Sequence, residues 1–170
     1  MKKKIAIGAC ILAVLLAGGL WYTRPMTIQQ LCPEIDLSQC SSVRAYIEIV
    51  PSATGNERLI LERDSPAFVA VMTEIQSRTF SRSLTSLLPR GTRTVAVKDG
   101  DFQWELHLEF DEPVVTPDGN GHTGILIRLH NFFGSLGLDD LLADRTWDVT
   151  TQDQEEWLPQ IMDILSSAKG

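Results

Sequence analysis

Three histidines and three cysteines are all that the 170-residue chain offers of imidazole and thiol ligands for a metal, and no spacing among them builds a site. Around His107, His122 and His130 there is neither H-E-x-x-H nor H-x-H, so a zinc ion would lack the converging ligands it needs. No G-x-S-x-G elbow marks a serine nucleophile. Asp118-Gly119-Asn120-Gly121 opens like a calcium loop, but the twelfth position is Leu129 where a bidentate glutamate is required. No metal and no cofactor is therefore expected.

Positive charge is scarce beyond the head of the chain. Lys2, Lys3, Lys4 and Arg24 are four of the 15 basic residues, whereas all 22 acidic residues follow residue 24. An acidic body has no positive surface for nucleic acid or for tight adsorption to anionic lipid. Its surplus charge serves solubility first. Internal repeats and low-complexity tracts are also lacking.

What is present begins with Ile5 to Tyr22, 18 residues without a charge, long enough as a helix to reach roughly 27 Å. Three lysines precede it, which keeps the N-terminus in the cytoplasm and sends the remainder outside. Trp21 and Tyr22 close the run where amphipathic rings favour the membrane boundary, and Arg24-Pro25 ends the helix. Residues 1–24 thus read as a signal anchor of a single-pass cytoplasmic-membrane protein, and 25–170 as one exported domain. A cleaved signal peptide with a secreted domain is the alternative; the length of the run favours retention.

Cys32 and Cys40 fall in the exported part, where oxidation is permitted. A disulfide between them is expected, stabilising by about 2 to 3 kcal/mol in the chain-entropy picture.

Periodicity supplies the fold. Thr27 to Gln30 matches a capping box. Val43, Ala45, Ile47 and Ile49 alternate with polar residues, and 58–62 returns after a turn at 51–56 to make a hairpin. Ser65-Pro66 starts a helix over 66–77. Residues 79–84 suggest an extended piece. Next, 92–97 and 102–110, joined through Asp99-Gly100, form the strongest hairpin signal, with Phe102, Trp104, Leu106, Leu108 and Phe110 on one face. A strand over 123–130 follows a turn-rich tip at 113–121, then a loop over 131–144 with one helical turn at 139–142, then a short strand over 145–150. A capping box at Thr151 to Gln154 opens a last helix over 152–167, interrupted by Pro159. Strands grouped around two principal helices indicate α+β with a mainly antiparallel sheet.

Two places on this body could meet a partner. Arg78, Arg82, Arg90 and Arg93 form its one local cluster of positive charge, suited by their guanidinium forks to carboxylate or phosphate, although pairing with the surplus acids explains them too. Phe132 and Phe133, beside Gly134, could form an apolar patch or pack on the sheet. The sequence therefore points to a non-catalytic domain that binds a protein or envelope component. A small extracytoplasmic hydrolase or metal-dependent enzyme is the alternative, and an accessory subunit of a membrane complex is a third reading.

Overall fold

A computed structural model describes residues 2–49, 57–87, 101–115 and 119–169, with side chains from Ile7 onward. The expected turn at 51–56, the strand at 92–97 with Asp99-Gly100, Asp118, Arg90 and Arg93 lie outside the described residues.

Helix α1 (Lys2–Tyr22) leads into a short helix α2 (Ile28–Leu31). Strands β1 (Ser42–Ile49) and β2 (Glu57–Glu62) precede helix α3 (Pro66–Ser77) and strand β3 (Phe80–Arg82). Then come β4 (Phe102–Val115), β5 (Gly121–Phe132), β6 (Ser135–Asp140), β7 (Arg145–Thr151) and helix α4 (Gln154–Ser167). The strands form one sheet in the order β2-β1-β4-β5-β6-β7-β3, antiparallel at every pairing. The architecture is the expected α+β with a mainly antiparallel sheet.

Local chemistry explains the helices. Ser65 Oγ accepts from Phe68 N at 3.2 Å and Pro66 occupies the first turn, so α3 starts as the sequence indicates. At α2 both halves of the capping box form, Thr27 Oγ1 with Gln30 N and Gln30 Oε1 with Thr27 N. The second box forms only in part. Gln154 Oε1 accepts from Thr151 N, but the Thr151 hydroxyl donates to Thr79 O, and Asp153 caps α4 in the left-handed region without a side-chain bond.

One face of the sheet carries the core. Val43, Ala45 and Ile47 of β1, Trp104, Leu106, Leu108 and Phe110 of β4, and Ile127 and Leu129 of β5 are buried there. Against them lie Phe68, Val71, Met72 and Ile75 of α3 and Trp157, Leu158, Ile161 and Leu165 of α4. Trp157 meets Trp104 and Phe80 edge to face, at 6.0 and 5.9 Å between ring centres, a geometry that adds to burial. Trp104 Nε1 donates to Leu158 O at 3.3 Å, which satisfies its polar end.

The structure departs from the sequence reading in three places. Both sides of β4 are taken by β1 and β5, so its hairpin partner is β5, through a ladder with two register shifts. The expected loop over 131–144 instead holds β6, reached through a turn at Phe133 (φ 48) and Gly134 (φ 87), both in the left-handed region as a type I′ hairpin demands. Buried Asn131 secures it by accepting from Gly134 N at 2.8 Å and donating to Phe102 O at 3.3 Å. The helical turn expected at Asp139-Asp140 is strand, because each aspartate has an arginine opposite in register, Arg128 and Arg145.

The third departure concerns the disulfide. Cys32 and Cys40 are free, buried thiols. Their partners explain why. Cys32 lies against Asp140 of β6, while Cys40 Sγ donates to Ser42 O of β1 at 3.3 Å and sits by Glu109 of β4. Burial drives the Cys32 thiol far above the usual range, with Asp140 adding to the effect, and pushes Cys40 up to about 12. Both are protonated at neutral pH, so neither is a thiolate nucleophile.

Candidate functional site

The face of the sheet away from the helices is built from the alternate residues of the same strands. Register places Arg44, His107, Arg128 and Asp139 side by side across β1, β4, β5 and β6. A second row runs Tyr46, Glu105, His130, Gly137 and Asp148. Cross-strand neighbours on one face stand close enough to pair, and these do.

Glu105 Oε1 bonds His107 Nε2 at 2.7 Å and lies 3.4 Å from Arg128 Nε. Arg128 reaches Asp139 Oδ2 through Nε and Nη2, each at 2.7 Å. Arg44 pairs with Glu109, whose other oxygen accepts from Ser42 Oγ at 2.9 Å. The Tyr46 and His107 rings are 5.0 Å apart. The His130 ring occupies the space over Gly137, since a Cβ there would come within 1.9 Å of His130 Nε2. Glycine at 137 is thus a condition of this surface. Arg44 Nε, His107 Nδ1 and Asp139 Oδ1 are buried without a hydrogen-bond partner among the described residues.

His107 Nδ1 is the ring nitrogen that Glu105 leaves free, and it is closed to solvent. Among the described residues, no group of histidine, cysteine, aspartate and glutamate converges as metal ligands do. Ser166 and Lys169 stand at S-x-x-K spacing, a signal the sequence reading missed, but Lys169 is paired with Glu57 at the end of α4.

Of the arginines chosen from the sequence, the two among the described residues, Arg78 and Arg82, are occupied. Arg78 donates to Gln152 O at 3.0 Å, lies 3.8 Å from Glu74 and covers the Trp157 ring at 5.5 Å. Arg82 donates to Tyr22 O at 3.0 Å and sits 4.3 Å above the Tyr22 ring. The two phenylalanines part at the turn. Phe132 stays on the open face, exposed, with its ring 4.8 Å from His130. Phe133 instead lines a cavity of about 380 Å³ with Phe102, Leu158 and Pro159, rimmed by Asp101 and Glu155.

Comparison with known proteins finds no protein-family model, no curated protein and no solved structure that matches this chain.

Proposed function

We propose that the chain is a non-catalytic, extracytoplasmic binding domain held at the cytoplasmic membrane by its first helix, presenting the open sheet face to a protein or envelope partner. The observation that carries this reading is the surface of α1. Ile7, Ile11, Leu12, Val14, Leu15, Leu16, Leu20 and Trp21 are all exposed, pointing around the whole helix. Leaving such side chains in water forgoes roughly 1.5 to 3 kcal/mol each, and a helix apolar all round is one that lipid or protein covers. Among the residues with described side chains, no helix is long and apolar enough to cross a membrane; the uncharged run in the sequence starts earlier, at Ile5. The positive head at Lys2 to Lys4 supports the orientation. Retention is favoured over cleavage because both Arg82 contacts fall on Tyr22, a residue of the helix itself.

Protease added to spheroplasts expressing the full chain should digest the domain, while the α1 fragment stays in the pellet after an alkaline carbonate wash. A domain cut only after lysis, or a chain released by carbonate, overturns the reading.

A further inference from the structure

The two edges of the sheet are finished differently. At β3 the chain closes the edge itself: Met26 N donates to Phe80 O at 3.0 Å and Phe80 N to Met26 O at 2.7 Å. At the other end, β2 pairs with β1 and with no other described strand. Among the described residues, one side of its backbone is therefore left unpaired, a template for a further strand. Natural edges are usually blunted by proline, inward charges or bulges. Glu57–Glu62 has no proline and pairs with β1 without a register shift, although Glu57 shares the core face with Leu59 and Leu61; Ile60 is half exposed at its centre.

We propose that β2 pairs with β2 of a second copy of this chain, making one continuous sheet across a two-fold axis. An axis normal to the sheet is the operation that sets a free edge antiparallel to its own copy, and it keeps the helices of both copies on the same face. Residues facing one another must then share a face, so only every second register is allowed. The register centred on Ile60 sets Arg58 opposite the copy's Glu62 on the open face, twice by symmetry. On the core face it sets Leu59 against Leu61, and Ile60 meets itself on the axis. Shifting to either neighbouring allowed register puts Ile60 opposite Arg58 or Glu62, which loses both charge pairs and leaves a single leucine pair, Leu59 or Leu61 with itself, as the apolar contact. The strand is self-complementary in charge and in hydrophobicity, as an isologous interface requires.

The flank of the edge has room for this. A groove of about 480 Å³ runs beside Ile60 and Leu61 between the start of α3 and the end of α4, where Ser65, Ala67, Ala70 and Ala168 line it together with Pro66 and Ile164. It leaves space beside the helical layer at this edge. This inference goes beyond the membrane reading and is scored independently of it, on the purified full-length chain in detergent.

The test is site-directed crosslinking. In a Cys10→Ser background, Ile60→Cys places two thiols across the axis at cross-strand distance, while Cys32 and Cys40 are buried. Mild copper oxidation should convert this variant to a covalent dimer on a non-reducing gel. Leu87→Cys, at an exposed position away from the edge, should remain monomeric. Adding Arg58→Glu sets like charges against Glu62 at both ends and should cut the crosslinking rate about tenfold. Combining Arg58→Glu with Glu62→Arg should restore it. Crosslinking of Ile60→Cys no faster than Leu87→Cys overturns the proposal, as does a rate indifferent to Arg58→Glu or not recovered by the exchange.

Discussion

On one side of the sheet Trp104, Leu106 and Leu108 lie under α3 and α4; on the other, from the same strand, Glu105, His107 and Glu109 face outward and join Arg44, Arg128 and Asp139. Both sides are organised, but by different forces. The helix side gains from the area it removes from water, which is indifferent to direction. The open side relies on directional pairs, of which Arg44–Glu109 and Arg128–Glu105 stay partly solvated and are each worth little alone, while Asp139 is buried beneath Arg128. The contrast teaches where this chain can tolerate change: shape and volume matter beneath the helices, and partner geometry matters on the bare face.

That contrast can be broken by substitution. Trp104→Ala removes the largest buried ring of β4 together with its bond to Leu158 O. Urea unfolding should show a loss of about 3 to 5 kcal/mol. A loss within error would mean that the packed side has been misassigned. Gly137→Ala forces His130 off the sheet, because the new methyl group would collide with its ring. A loss of about 1 to 3 kcal/mol is expected, with displaced ring signals of His130 and neighbouring Phe132 in an NMR spectrum; unchanged signals would show that the ring does not lie there. Arg44→Ala leaves Glu109 its bond from Ser42 and should cost below about 1 kcal/mol. A cost rivalling that of Trp104→Ala would erase the distinction between the faces.

Much of this was legible because period-2 alternation in β1 and β4 separates the two sides residue by residue, and Ser65-Pro66 fixes the start of α3. The polar row through Glu105, His107 and Glu109 could be read from that alternation alone. Its partners across β5 could not. Arg128 meets Asp139 only through the turn at Phe133 and Gly134, where a bulky residue takes a conformation normally signalled by asparagine or glycine. Strand β6 escaped because Asp139 and Asp140 look like surface residues, and only arginines on the neighbouring strands make them buriable. Cysteine spacing indicated a short loop to close, but not that Asp140 and Ser42 would turn the two sulfurs toward different strands. The roles of Arg78 and Arg82 depended on Trp157 and Tyr22, residues distant in sequence.

The bridge from Met26 to Phe80 also sets how mechanical load travels. Only Thr23 to Pro25 separate the end of α1 from that bridge, so the connection has almost no slack. A pull on the helix is passed through two backbone bonds to β3, the shortest of the described strands, and on to β7 by three residue pairs. Tension would therefore peel the sheet from this margin inward, through β7 and β6 before the long β4–β5 ladder, and reach the β1–β2 pair last.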